Sequence, residues 1–170
     1  MDAIRNAVEC RSASRPRPRA RGDVWFGLGF DFRTTSLVWR EVSRKNQKIK
    51  LKRYIDDGRF GVEAVGTQAL TEIVQLQASL SSRVTIEDVS ALYFAVIRES
   101  ILLTGDKRLR QHAEECGIET HGLLWVLDML VACGALLPVV AADHLEKLLE
   151  RGTSRLPLHE CELRIRKWRR

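Results

Sequence analysis

The sequence is poor in the residues that build disulfide frameworks and zinc sites. Its four cysteines stand far apart along the chain and form no C-x-x-C pair: Cys10, Cys116, Cys133 and Cys161. This spacing favours free thiols in a reducing compartment over a disulfide-stabilised or zinc-bound domain. We therefore predict a cytoplasmic protein.

The chain also lacks long apolar runs and glycine-rich phosphate loops. No apolar run approaches the roughly 18 residues of a membrane-spanning helix, so no membrane contact is predicted. Neither G-x-G-x-x-G nor a P-loop is present, which argues against a nucleotide-binding domain. With 170 residues and 45% hydrophobic content, the chain can bury one good core.

The net positive charge is concentrated near the amino terminus. Five arginines and no acid stand between residues 11 and 21, so they supply +5 of the +6 and leave the rest at only +1. This composition predicts a disordered Arg/Pro-rich tail over residues 1–22 and a single domain over residues 23–170. A solvated tail, or the product of a misplaced start or a frameshift, is favoured over a nucleic-acid-binding arm. A targeting peptide is disfavoured because Asp2 and Glu9 precede the basic run.

Downstream of the tail, strand and helix patterns alternate. The predicted order is strand, helix, helix, strand, helix, helix, strand, helix, strand and then three helices. Residues 30–35 form the first predicted strand, and Ser36 is the predicted N-cap of the helix that follows. Alternation of this kind indicates an α/β fold with a mostly parallel sheet.

One carboxylate stands where such sheets bind ligands. A short apolar run at 101–103 is followed by the turn residues Thr104 and Gly105 and then by an amphipathic helix. Asp106 is therefore predicted to lie at the carboxyl end of a buried strand. The alternative is an acid that only stabilises the amino end of its helix.

Two further acids are candidates for the same edge. Glu41 lies four residues after Leu37, in a position that a plain core helix would fill with an apolar side chain. An inward-facing carboxylate is costly unless it is paired or metal-bound, so a salt bridge to Arg44 or Lys45 is the alternative. The second acid, Asp88, heads the apolar stripe of its own helix.

Asp88 also has a local explanation. Thr85 and Asp88 match a capping box, with Thr85 as the N-cap. Considered together, the three acids are nevertheless the parts of a divalent-cation site, because clustered carboxylates raise one another's pKa unless a cation neutralises them. Oxygen ligands without a nearby His/Cys set select Mg²⁺ or Mn²⁺, which can drive hydrolysis of a phosphodiester.

Three segments resemble the prokaryotic PIN-domain family, which includes the VapC-type toxin ribonucleases. They are Thr34-Thr-Ser-Leu-Val-Trp-Arg-Glu41, Thr85-Ile-Glu-Asp-Val-Ser-Ala-Leu92 and Leu102-Leu-Thr-Gly-Asp-Lys-Arg-Leu-Arg110, within a similarity that covers roughly residues 28–150. The resemblance implies a Rossmann-like α/β/α sandwich and Mg²⁺-dependent RNA cleavage. It implies that Glu41, Asp88 and Asp106 are metal-site acids, supported by Thr104. It also implies homodimerisation and a small antitoxin partner.

The amino terminus departs from the family pattern. Family members begin with a short apolar strand that ends in an aspartate, and here the arginine-proline tail takes that place. Neither Asp2 nor Asp23 is assigned as the missing acid. The chain thus resembles a PIN domain whose first strand and first metal ligand are missing or replaced, and a non-catalytic binding module is the alternative function. Loss of a central strand would also expose sheet edges on both sides.

Basic residues near the acids are candidates for RNA contact. Residues 44–57 carry a dense positive face, which is either a solvated helix surface or a phosphate-contacting patch. The predicted nucleic-acid-binding residues flank Glu41 and Asp106 along the chain: Arg44, Lys45, Lys48, Lys107, Arg108 and Arg110.

Overall fold

The computed structural model of the protein describes residues 8–12, 25, 28–80, 84–152 and 156–170, and of residues 8–12 it describes the backbone. The strands in these ranges are β1 (Val8–Ser12), β2 (Phe30–Thr35), β3 (Phe60–Glu63), β4 (Ile101–Leu103) and β5 (Thr120–His121). The helices are α1 (Ser36–Glu41), α2 (Lys45–Asp56), α3 (Thr67–Ser79), α4 (Ile86–Arg98), α5 (Lys107–Glu115), α6 (Leu123–Ala132), α7 (Pro138–Glu150) and α8 (Leu158–Trp168). From β2 onward, the order of elements is the predicted one.

The strands form one sheet in the order β3-β2-β1-β4-β5. β2 pairs with β3 and β4 pairs with β5, in both cases in parallel. β1 lies in the centre and runs antiparallel to both of its neighbours, so β2 and β4 share one direction. The predicted, mostly parallel sheet is confirmed, with a reversed strand at its centre.

The central strand comes from the predicted tail. For Val8–Ser12 the prediction of disorder is wrong, because these residues pair with β2 on one side and with β4 on the other. The central place is therefore not missing but replaced, and the inner edges of β2 and β4 are covered. The rest of residues 1–22, including Asp2, and also Asp23 lie outside the described residues.

Helices cover both faces of the sheet. Successive side chains of a strand point to opposite faces, and in β4 the buried Leu102 and Leu103 belong to different hydrophobic clusters. Leu102 packs with apolar side chains of α1, α3, α4 and α5. Leu103 packs with side chains of α6, α7 and α8. The result is the α/β/α sandwich that the resemblance implies.

The start of α1 differs by one residue from the prediction. Thr35, not Ser36, is the N-cap, because its Oγ1 accepts a hydrogen bond from the backbone N–H of Val38 at 3.2 Å. Ser36 is the first helical residue, and its Oγ accepts from the backbone N–H of Val65 at 3.1 Å. The two adjacent hydroxyls thus tie α1 to different neighbours. Both bonds hold α1 at the carboxyl ends of β2 and β3.

Within the described ranges, no helix combines the length and the apolar character that crossing a bilayer requires.

Candidate metal centre

Asp106 lies at the carboxyl end of β4, as predicted, and is the N-cap of α5. Its Oδ1 accepts hydrogen bonds from the backbone N–H groups of Arg108, at 2.8 Å, and Leu109, at 2.9 Å. Both bonds use Oδ1, so neither engages Oδ2. The buried hydroxyl of Thr104 accepts from the backbone N–H of Asp106 at 3.0 Å. Capping therefore fixes the exposed carboxylate in place without using both of its oxygens.

Asp88 lies in the first turn of α4. Thr85 is the N-cap as predicted, and its Oγ1 accepts from the backbone N–H of Asp88 at 3.2 Å. Burial raises the pKa of Asp88 to about 6, although a hydrogen bond from the Thr85 side chain opposes the shift. The negative charges of Asp106, Glu41 and Glu87 are smaller causes of the same rise. The carboxylate is thus hydrogen-bonded to the N-cap residue Thr85 and also lies near three other negatively charged side chains.

Glu41 is the last residue of α1 and is exposed. The prediction of an inward-facing carboxylate is therefore wrong. The helix α1 has only six residues and ends at Glu41, before a second full turn that would bring this position to the core is complete. Partial desolvation, followed by the charge of Glu87, raises the pKa of Glu41. A salt bridge to a neighbouring cation would lower that pKa. Since the pKa is raised, the negative charge of Glu87 outweighs that of any nearby basic side chain at Glu41.

The three predicted acids interact around Asp88, since the charges of both Glu41 and Asp106 raise its pKa. In kind, the donors fit a hard divalent cation, because they are carboxylates in a negative field. Their side chains do not, however, lie close enough together to form a site. In the described part of the chain, no group of three His, Cys, Asp or Glu side chains could hold a metal ion.

Two residues of this region escaped the sequence analysis. Glu87 contributes to the field at both Glu41 and Asp88. Ser90 is fully buried, and its Oγ donates to the backbone carbonyl of Glu87 at 2.6 Å. The position of Glu87 next to a capping acid is a signal in the sequence. For Ser90 there is no such signal, because its contact with the distant Thr35 arises only when α4 packs against the start of α1.

The sequence model of the PIN-domain family matches residues 27–170. The chain belongs to the PIN-domain family. Members of this family are generally nucleases and typically depend on a divalent metal. The match begins after β1, so the reversed central strand is outside it. No curated protein and no solved structure matches the chain.

Basic residues flank the acids of this PIN domain. Arg44 and Lys45 begin α2 three and four residues after Glu41. The ammonium of Lys48 lies 5.4 Å from the centroid of the Trp39 ring, which is a cation–π contact. On the other side, exposed Lys107 and Arg108 follow Asp106 directly, and Nη2 of Arg110 donates to the carbonyl of Thr104 at 3.2 Å. Positive side chains thus begin immediately beside Asp106 and a few residues beyond Glu41.

Proposed function

We propose that this PIN-domain protein is a toxin-like ribonuclease that needs Mg²⁺ or Mn²⁺ and hydrolyses RNA phosphodiesters. The observation that carries the proposal is the raised pKa of Asp88, which is due first to burial and then to the charges of Asp106 and Glu41 nearby. Carboxylates that destabilise one another's charged forms gain free energy when a divalent cation neutralises them. Oxygen donors alone, without cysteine or histidine, favour Mg²⁺ or Mn²⁺.

Each residue has a role in this proposal. Glu41, Asp88 and Asp106 would have to move closer together to hold the ion, because their described positions do not form a site for it. The hydrogen bond from the backbone of Asp106 to Thr104 supports the position of Asp106. When bound, the ion would lower the pKa of a water molecule and neutralise negative charge on the phosphate. The basic residues would bind RNA phosphates on either side: Arg44, Lys45, Lys48, Lys107, Arg108 and Arg110.

The test is cleavage of RNA with Mg²⁺ or Mn²⁺ by the wild-type protein and by the Asp106→Asn variant. Asparagine is as good an N-cap as aspartate, so its amide oxygen can keep the bonds to the backbone of Arg108 and Leu109. The variant should remain as stable as the wild type and lose cleavage by about 100-fold or more. Cleavage that survives this substitution counts against the proposal.

A capping control separates folding from chemistry. Asp106→Ser keeps a capping oxygen and removes the carboxylate, whereas Asp106→Ala removes both. The serine variant should therefore fold normally without cleaving RNA. The alanine variant should in addition lose about 1 kcal/mol of unfolding free energy. If the serine variant is active, the carboxylate is not needed.

The second candidate is a PIN-like module that binds nucleic acid or protein without cleaving it. Two observations favour it. The described acids form no group of three close enough to hold an ion, and the central strand Val8–Ser12 contains no aspartate. Titration with Mn²⁺ discriminates between the two functions, because an absence of binding at millimolar concentration would support the non-catalytic module.

Self-association and binding of a small antitoxin are further proposals. Exposed apolar side chains support an interface that involves α3 and α4: Leu70, Val74, Val96 and Ile97, which are 39%, 46%, 40% and 58% exposed. Light scattering during gel filtration tests the homodimer. A monomer at about 100 µM, well above the micromolar affinities of ordinary interfaces, would contradict it.

A further inference from the structure

We propose that His121 and Trp125 form a stacking platform that binds a nucleobase of single-stranded RNA beside the candidate metal centre. The two rings are parallel within 3°, and their centroids are 4.0 Å apart. The proposal rests on the proposed ribonuclease function and adds the contact that holds the substrate's base. Neither ring belongs to the set of acids and basic residues described above.

Each ring of the platform has a further contact that orients it. Trp125 lies in α6 and its ring centroid is 6.0 Å from that of Phe30, which anchors it on the hydrophobic core. Nε2 of His121 lies 2.6 Å from a carboxylate oxygen of Glu119. The imidazole therefore has a fixed orientation, with one face on Trp125, while 22% of its side chain is exposed to solvent. A pre-ordered, partly exposed ring loses little entropy when a base stacks on it.

The platform is one strand away from Asp106. β5 pairs with β4 in parallel, and the backbone N–H of Thr104 donates to the carbonyl of His121 at 2.9 Å. Thr104 in turn accepts from the backbone N–H of Asp106. Neighbouring strands lie about 4.8 Å apart. His121 and Asp106 thus lie at neighbouring strand ends on the same edge of the sheet, and the imidazole is on the α6–α8 face because His121 pairs with Leu103.

The Arg110 guanidinium lies close to the backbone of both Thr104 and Gly122. Nη2 of Arg110 donates to the carbonyl of Thr104, and a Cβ added at Gly122 would lie 3.1 Å from that nitrogen. A side chain at 122 would require the guanidinium to shift by a few tenths of an ångström. The guanidinium of Arg110 has further N–H donors that can bind a phosphate. Arg110 and His121 thus offer one phosphate contact and one base contact at neighbouring points.

Single-stranded RNA is the occupant that this arrangement favours. Proteins bind unpaired bases by stacking them on aromatic side chains along a positively charged path. Lys107 and Arg108, both exposed, continue the positive charge from Arg110 to Asp106. In duplex RNA the bases are stacked on each other, so they cannot reach the ring.

The experiment measures binding in EDTA, where no metal-dependent cleavage takes place. Fluorescein-labelled single-stranded RNA is titrated with the wild-type protein and with two variants, His121→Ala and His121→Tyr. The alanine variant should bind about tenfold more weakly, whereas tyrosine, which keeps an aromatic face, should bind like the wild type.

A set of abasic oligonucleotides isolates the base contact from folding. Removal of one base should weaken binding to the wild type at one position of the strand and leave binding to His121→Ala unchanged. An equal loss of affinity in both proteins would overturn the proposal, and so would unchanged binding by His121→Ala. Because no cleavage is needed, base-dependent binding by a protein that never cleaves RNA would support the platform and refute the ribonuclease. If the His121→Ala variant cleaves RNA as well as the wild type does, the ribonuclease is supported and the platform is refuted.

Discussion

Thr35 Oγ1 and Ser90 Oγ lie 2.6 Å apart in the interior and join the start of α1 to the first turns of α4. Both residues are 0% exposed. Ser90 donates to the carbonyl of Glu87, so its oxygen must accept the proton of Thr35, which itself accepts from the backbone of Val38. Every polar atom in this row is satisfied. Because α1 carries Glu41 and α4 carries Asp88, the contact helps to set how far apart these two acids lie.

The first prediction concerns that contact. Ser90→Ala removes the donor to the buried Glu87 carbonyl and the acceptor of the Thr35 hydroxyl, and it should cost about 1–3 kcal/mol of unfolding free energy. Urea denaturation measures the loss. Ser79→Ala is the matched control, because Ser79 is exposed and donates to the Leu76 carbonyl at 2.7 Å. Equal losses of unfolding free energy in the two variants would show that the buried hydrogen bonds of Thr35 and Ser90 stabilise the fold no more than an exposed one.

The second prediction follows from the pKa of Asp88, which burial first of all raises from 3.8 to about 6. Between these values the folded protein binds more protons at this group than the unfolded chain, so the group's contribution to stability falls as pH rises from about 4 to about 6. Asp88→Asn should therefore be more stable than the wild type at pH 7, by about 1 kcal/mol after allowance for partial exposure. At pH 4 the difference should be close to zero. A constant difference across this range would contradict the assigned pKa.

The third prediction is a metal effect on thermal stability. If Asp88 binds Mn²⁺, the ion competes with its proton, so millimolar Mn²⁺ should raise the melting temperature more at pH 7 than at pH 5. Asp88→Asn should abolish this pH dependence. The exposed and remote Glu162→Gln in α8 serves as a charge-matched control and should respond like the wild type. A shift of the same size in all three proteins would indicate non-specific binding.

The fourth prediction concerns an ion-pair network on β2 and β3. Arg33 lies 2.9 Å from Asp31 and 2.6 Å from Glu63, and its side chain crosses Gly61 so closely that an added Cβ would be 2.8 Å from its Cγ. Gly61→Ala must displace Arg33 and should cost about 1–2 kcal/mol. Gly105→Ala, which meets no atom within 4 Å, should change stability by less than about 0.5 kcal/mol. Similar values for both variants in urea denaturation would refute the steric argument.

The elements from β2 to α8 could be predicted because their signals are local. Thr85 begins α4 through its own hydroxyl, and Gly117 takes the left-handed conformation, with φ of 74°, that ends α5. The positions of Asp88 and Asp106 followed from the same signals, since each one is next to a helix start. Glu41 was harder, because its exposure depends on α1 being only six residues long.

β1 could not be predicted from its own sequence. The apolar–polar alternation of Val8, Glu9, Cys10 and Arg11 covers only four residues and stands beside an Arg/Pro-rich stretch whose composition predicts disorder. Its conformation depends on the hydrogen-bonding edges of β2 and β4, which are distant in sequence from it. For the same reason the spacing of the acids was beyond sequence reasoning: it depends on how α1, α4 and α5 pack on the sheet.

The reversed direction of β1 decides which of its ends lies near Asp106. Val8 pairs with Leu103 at the end of β4 that leads to Asp106, whereas Ser12 pairs with Phe30 at the opposite end of the sheet. The first residue of β1 therefore lies on the side of Asp106, and its last residue lies on the side remote from that carboxylate. Six residues of β2, about 20 Å, separate the two sides. Because β1 is reversed, its last residue is far from Asp106, so only a residue near Val8 could contribute to that edge of the sheet.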